Sequence, residues 1–396
     1  MPEAGASFDR PASNPLWGDD WPEVRDLWAL DPTVTFLHHG SFGATPRAVL
    51  DGQATLRRSM ERDPVAFLSR RLPDLLAAAR ERVAAFLSAD PGGLAFVPNA
   101  TTGVNTVVAS LDLRPGDRLV TTDHAYGAVR KAMRHACDRW GASMAEVHVP
   151  LAAAPDEVVA AFTAVMDERT RLVVVDHVTS PTALILPVGA VVAACRDRGV
   201  PVLVDAAHAP GMLPVHVDAL GADFWTGNLH KWVCAPKGSA VLWVDPEHRD
   251  LHPLMVSHGY GQGLSAEFDW TGTADPTPYL AAPLAIDLLE GLGWDRLWRH
   301  NHALALHGRD AVAEALGTEP PVAEDRFGAM SLVELPAAVS SPAEGLALQE
   351  RLFDRHRIEV PVTAWDGRAF LRLSAQAYNA PQEYERLAAA LRSILG

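Results

Sequence analysis

The stretch RLVVVDHV, residues 171–178, constrains this chain more than any other. A strand made of Leu and Val with no polar alternation has no face for solvent. It therefore belongs in a sheet covered on both sides. Four further segments of strand length read the same way: RLVTT (118–122), AEVHV (145–149), VPVLVDA (200–206) and SAVLWV (239–244). Helical patterns over 102–111, 125–140, 155–166 and 187–198 separate them. Strands alternating with helices predict an α/β fold with a mainly parallel sheet, here over residues 37–280.

Beyond residue 280 the pattern changes. Helical stretches at 280–293 and 297–316 precede the strand MSLVEL (330–335), a helix at 342–356, the strand RAFLRLS (368–374) and a helix at 382–395. This predicts a smaller α+β domain over 281–396, with the weakly periodic residues 1–36 wrapping onto it.

Charge and cysteine content narrow the function classes. With 34 Lys and Arg against 49 Asp and Glu, the net charge of −15 disfavours a nucleic-acid partner. Cys137, Cys195 and Cys234 form no CxxC pair, which argues against a disulfide framework or a structural zinc site. The acidic, Pro-rich start lacks the apolar core of a signal peptide, and no run approaches the roughly 20 apolar residues of a membrane span. A soluble, cytoplasmic protein is expected.

In open α/β sheets ligands collect beyond the carboxyl ends of the strands, so residues there carry the functional question. Asp205 ends VPVLVDA, either as a helix cap or as a carboxylate facing a protonated ring nitrogen. His208 follows three residues later. In FVPNATTGVN, Asn99, Thr101, Thr102 and Gly103 open a helix, a place suited to capping and to phosphate alike. No GxxxxGK[ST] is present, and GYGQG (259–263) does not match GxGxxG. His124, after the strand RLVTT, could cap a helix or stack on a flat ring. Lys231 stands in FWTGNLHKWVCAPKG, between a histidine and a tryptophan. Its stem could cover apolar surface; alternatively a desolvated amine becomes a nucleophile toward aldehydes. Together these residues describe one ligand, pyridoxal 5'-phosphate (PLP), with Lys231 holding its aldehyde as a Schiff base.

The stretches FLHHGSFGATPR, NATTGVN, DHAYGAVR, FWTGNLHKWVCAPKG, DAAHAPG, WTGTADPTPYLA and RLSAQAYN resemble the class V aminotransferase (cysteine desulfurase-like) family of fold-type I PLP enzymes, and within it the isopenicillin N epimerase-like group. The resemblance runs from about His38 to the C-terminus. It implies a large domain with a seven-stranded type of sheet and a homodimer with shared active sites. It makes Lys231 the cofactor lysine, Asp205 the partner of the pyridine nitrogen and His124 the stacking residue. Thr101 and Thr102 would bind phosphate, with Asn228 and His230 as further contacts. Gly272 and Thr273 would complete the phosphate site of the neighbouring subunit, and Arg372 would fix a substrate α-carboxylate. Two departures stand out. Residues 250–396 contain no cysteine, which disfavours persulfide-forming desulfurase chemistry. Ser180, in HVTSP, occupies the region where the family carries an asparagine against the cofactor oxygen, and His208 stands where desulfurases carry glutamine.

PLP weakens the bonds at Cα of an amino acid, and Lys231 is the expected proton acceptor. An epimerase then needs a second acid, for which Tyr126, Tyr260, His208 and the loop His38–His39–Gly40–Ser41 are the candidates. Ser41 and Tyr126 are also expected at the substrate, the former because the GSFGAT glycines permit close backbone approach or simply a tight turn. The expected activity is isopenicillin N epimerase-like. A C–S lyase acting on a cysteine conjugate or sulfoxide and an aminotransferase are alternatives, and a non-catalytic binding protein is disfavoured.

Overall fold

In the computed structural model, which describes residues 21–339 and 341–395, one sheet has seven strands. They are β1 (Leu94–Val97), β2 (Arg118–Thr122), β3 (Ser143–Val147), β4 (Thr170–Asp176), β5 (Val202–Asp205), β6 (Phe224–Asn228) and β7 (Ala240–Val244). Their spatial order is β1-β7-β6-β5-β4-β2-β3. The lack of polar alternation in RLVVVDHV has a direct cause. Val173 and Val175 belong to the core on one face of the sheet, Leu172 and Val174 to the core on the other. Helices α1 (Arg47–Arg62), α2 (Leu72–Leu87), α3 (Ala100–Ala109), α4 (Gly127–Trp140), α5 (Pro155–Val165) and α6 (Val188–Arg196) accompany these strands. Val104, Val107 and Met133 of α3 and α4 join one core, and Leu76, Val83 and Val158 of α2 and α5 the other.

The expected parallel arrangement holds with one exception. Strand β7 is antiparallel to both β1 and β6. Only residues 229–239 join β6 to β7, whereas a parallel return needs a crossover of about a dozen residues or more, usually with a helix. The chain therefore doubles back, and Lys231 sits in the turn.

Helix α7 (Ala282–Leu292) still packs Ala282, Ala285 and Ile286 into a core of the large sheet. A third core is built by α8 (Trp294–Leu316), β8 (Met330–Glu334), α9 (Pro342–His356), β9 (Val362–Trp365), β10 (Arg368–Ser374) and α10 (Pro381–Leu395). The strands form an antiparallel sheet in the order β9-β10-β8. Leu304, Leu348, Leu371, Leu373 and Tyr384 pack together in this core. Of the segment expected to wrap onto it, residues 1–20 lie outside the described residues. Thr35 and Phe36 pair in parallel with Ile358 and Glu359, and Leu37 joins the same core. Among the described residues no helix is long and apolar enough to cross a membrane.

Candidate active site

The turn after β6 is pinned by its own backbone. Leu229 and His230 both donate their N–H to the Ser239 carbonyl at 3.0 Å. Gly43 braces the turn from outside: a Cβ there would lie 2.1 Å from the His230 carbonyl oxygen, and its φ of 71° suits glycine. Both readings of GSFGAT are present: a single helical turn, His39–Phe42, closes at Gly43, and Gly43 lies close against the lysine turn.

Lys231 points its amine at His208, with Nζ and Nε2 3.1 Å apart. The other ring nitrogen of His208, Nδ1, accepts from the Trp232 indole N–H at 3.3 Å. A neutral imidazole with an accepting Nδ1 carries its proton on Nε2, so His208 donates to the lysine nitrogen. Desolvation, and then the positive charge of Arg372, lower the Lys231 amine from 10.5 to about 7, against the opposing pull of Asp205. Burial, then the positive charges of Lys231 and Arg372, hold His208 well below the usual histidine range. Near pH 7 His208 is thus neutral and Lys231 has a large neutral fraction, which is what a nucleophilic amine requires.

Asp205, 4 % exposed at the end of β5, accepts the Ala207 N–H at 3.0 Å. Burial raises its carboxyl, while that N–H and Lys231 favour the charged form. At the start of α3, Asn99 caps the helix by accepting from Thr102 N–H at 2.8 Å, and Asn228 accepts from Ala100 N–H at 2.9 Å. The second bond ties the end of β6 to the helix N-terminus. Thr101 and Thr102 stay partly exposed there. His230 engages the Ser239 carbonyl through Nδ1 at 2.9 Å, which leaves Nε2 as a lone-pair acceptor. Burial holds its pKa at about 4.

A second corner is built around Arg372, 4 % exposed on β10. One terminal nitrogen donates to the Ser180 carbonyl at 2.5 Å and to its hydroxyl at 3.2 Å, and the other to the Ser41 hydroxyl at 2.8 Å. Its Nε is buried without a partner, and among the described residues no carboxylate forms an ion pair with it. Burial lowers even this guanidinium to about 10. His38, partly buried, has an unpartnered Nδ1, and burial together with Arg372 lowers it to about 4.

Not every expected residue joins these corners. His124 is fully buried, with Nδ1 at the Thr182 hydroxyl (2.7 Å) and Nε2 at the Val149 carbonyl (2.6 Å). Its ring stacks on Trp365 at 4.5 Å, so protein already covers one face. The half-exposed ring at that turn is Tyr126, within electrostatic reach of Arg372. Ser180, expected against the cofactor, accepts from Arg372 at its carbonyl and its hydroxyl. Gly272 and Thr273 are exposed, with open space around Gly272 at φ 121°. Tyr260, 60 % exposed, packs on His252. His39 is engaged at both nitrogens, by the Tyr378 hydroxyl and the Lys231 carbonyl. Two residues at the site were not singled out from sequence. Trp232 sets the His208 tautomer, and Asp176 ends β4 beside Asp205. Asp176 closes an apolar run just as Asp205 does, so the signal was present.

An amine, a carboxylate two strand-ends wide of a helix N-terminus, and partly exposed threonines at that terminus fit a phosphorylated pyridine aldehyde. The class is therefore that of the PLP-dependent enzymes of this α/β fold, and the comparisons agree. Structures with TM-scores of 0.78 and 0.77 include the cystine C–S lyase C-DES with its product cysteine persulfide (21 % identity, 91 % of this chain, 98 % of that one). The other is the cysteine desulfurase CsdA of Escherichia coli (20 %, 97 % and 99 %). A C-DES variant carrying glycine covalently linked to the PLP cofactor is equally similar (TM-score 0.78, 19 %, 95 % and 99 %). The family model of the class V aminotransferases matches residues 46–352. Similar curated relatives include an isopenicillin N epimerase of Amycolatopsis lactamdurans, 37 % identical over 94 % of this chain and 98 % of the relative. A putative L-cysteine desulfhydrase of Oryza sativa subsp. japonica is 34 % identical, covering 91 % and 83 %. The chain belongs to the class V aminotransferase family and is a PLP-dependent enzyme.

Proposed function

We propose that this enzyme works at Cα of an amino-acid substrate, in the manner of the epimerase relatives. Arg372 carries the reading. A buried guanidinium without a counter-charge is unfavourable unless an anion completes it, and a substrate carboxylate fits its two-pronged geometry. Ser41 and Ser180 hold the fork in place. PLP, when bound, withdraws electrons from Cα. Lys231, with a large neutral fraction near pH 7, accepts the Cα proton at Nζ, with Asp205 serving the ring nitrogen, the start of α3 and Asn228 the phosphate, and His230 a further contact that can only accept. Epimerisation then needs a proton delivered to the opposite face of Cα; of the candidates near Arg372, Ser41 is bonded to the guanidinium and His208 to Lys231, which leaves Tyr126 and His38.

C–S cleavage is the second reading, favoured by the desulfhydrase relative. It uses the same first proton transfer, after which the Cβ–S pair leaves on sulfur and no second face is needed. Proton NMR in deuterated buffer, with a panel of amino acids and cysteine conjugates, separates the two. Loss of the Cα–H signal with an intact skeleton and inverted product supports epimerisation, and pyruvate supports the lyase. Neither exchange nor product with any α-amino acid would sink both. We further propose a homodimer in which the exposed Gly272–Thr273 loop reaches the partner's phosphate site. A monomer in sedimentation equilibrium with full activity would exclude it.

A further inference from the structure

Asp176 and Asp205 are register partners at the ends of neighbouring parallel strands. Such partners carry their side chains on the same face of a sheet, so two carboxyl groups lie side by side. Asp176 is 3 % exposed, and its Oδ2 has no hydrogen-bond donor among the described residues. The groups that face it are Asp205 from β5, Arg130 from the first turn of α4, and the main-chain N–H groups of Tyr126 and of Asp176 itself. Lys231 faces Asp205 from the turn after β6. Arg130 is also engaged with Glu146, at 3.0 Å.

A carboxylate oxygen next to another carboxylate and out of reach of any donor is unfavourable when ionised. A proton on it removes the repulsion and turns the orphan into a donor. Burial and the Asp205 charge do push the Asp176 carboxyl well above the carboxylate range, outweighing the pull of Tyr126 N–H and Arg130.

We propose that Asp176 is a neutral carboxylic acid whose O–H donates to the Asp205 carboxylate, so that the pair carries one negative charge. For the cofactor this rests on Asp205 as partner of the ring nitrogen: a donor behind Asp205 stabilises its ionised form and makes it a weaker base toward the ring. Asp176 is thus a positioning residue that tunes the electron-withdrawing power of the site.

The test begins on cofactor-free protein labelled with carbon-13 at the aspartate carboxyl. NMR at pH 7 should find one aspartate still protonated, and the D176N variant should lose that signal. No protonated aspartate at pH 7, or one that survives D176N, overturns the proposal. This readout needs neither cofactor nor turnover, so it stands apart from the functional reading, which fails separately if D205A binds PLP and turns over normally. With cofactor bound, the pH at which its visible absorbance titrates should move in D176L and stay near wild type in D176N, whose amide still donates. An unmoved titration in D176L overturns the tuning role. Should D176L not fold, the wild-type labelling experiment decides the protonation state alone.

Discussion

The lysine corner and the arginine corner differ in how their charge is met. Lys231, Asp205 and His208 come from one end of one sheet, within 27 residues of sequence. Near pH 7 the imidazole is neutral, the amine has a large neutral fraction and the carboxylate accepts a main-chain N–H. Arg372, Ser41 and Ser180 come from three distant segments, and the guanidinium they hold has only neutral oxygens around it. The first corner is complete without substrate. The second presents a cation without a counter-charge among the described residues, which the proposed substrate carboxylate would complete.

The largest effect is expected at the first corner. Lys231→Ala should reduce turnover by about 10⁴-fold, the upper range for a positioned acid–base group, and borohydride should no longer fix the cofactor to the chain. Normal turnover would remove the lysine from the mechanism. At the second corner, Arg372→Ala should lower kcat/KM by roughly ten- to 100-fold, the loss of a charged hydrogen-bonded anchor of about 1.5–3 kcal/mol. An α-amino amide should react equally poorly with either form. If the amide and the acid react alike in the wild type, the corner does not read a carboxylate.

Stability sharpens the contrast. Arg372→Met removes a buried charge that lacks a partner, so the melting temperature should hold or rise while activity falls; a large drop in melting temperature would mean the charge is compensated. For Lys231 the sign follows from its lowered pKa. Between about 7 and 10.5 the unfolded chain binds a proton that the folded chain does not. Stability of the cofactor-free protein should therefore rise with pH across that window, and Lys231→Met should flatten the rise in a denaturant titration. Ser41→Ala should have the smallest effect. Losing one hydroxyl from the arginine fork is worth about 1 kcal/mol, read as a several-fold increase in KM with kcat nearly unchanged.

Much of this was legible in the chain. Near-continuous Val and Leu runs fix burial on both faces, because a strand without polar alternation has nowhere to meet water. For that reason the strands Arg118–Thr122, Thr170–Asp176 and Ala240–Val244 fall within two residues of their expected ends. Lys231, Asp205 and the threonines of α3 could be found because each follows a strand, and strand ends converge. Direction was less visible. The reversal of β7 depends on the length of a connection whose strand partner, Phe224–Asn228, has only two large apolar residues, Phe224 and Trp225, before Thr226, Gly227 and Asn228.

Contacts between distant segments needed the fold. Nothing local in DHAYGAVR distinguishes His124, sealed against Trp365, from Tyr126, left open within electrostatic reach of Arg372. The choice is made by β9, more than 230 residues away. That Ser180 also accepts from a guanidinium was likewise invisible until β10 brought Arg372 to it. Sequence by itself determined the sheet, the family and the amine, since those follow from periodicity and from short motifs whose geometry is local. Tertiary structure decided the pairing of Asp176 with Asp205, the His208 tautomer set by Trp232, and the unmet charge of Arg372. Burial, register and the presence or absence of a counter-charge are properties of neighbours in space, which the order of residues does not state.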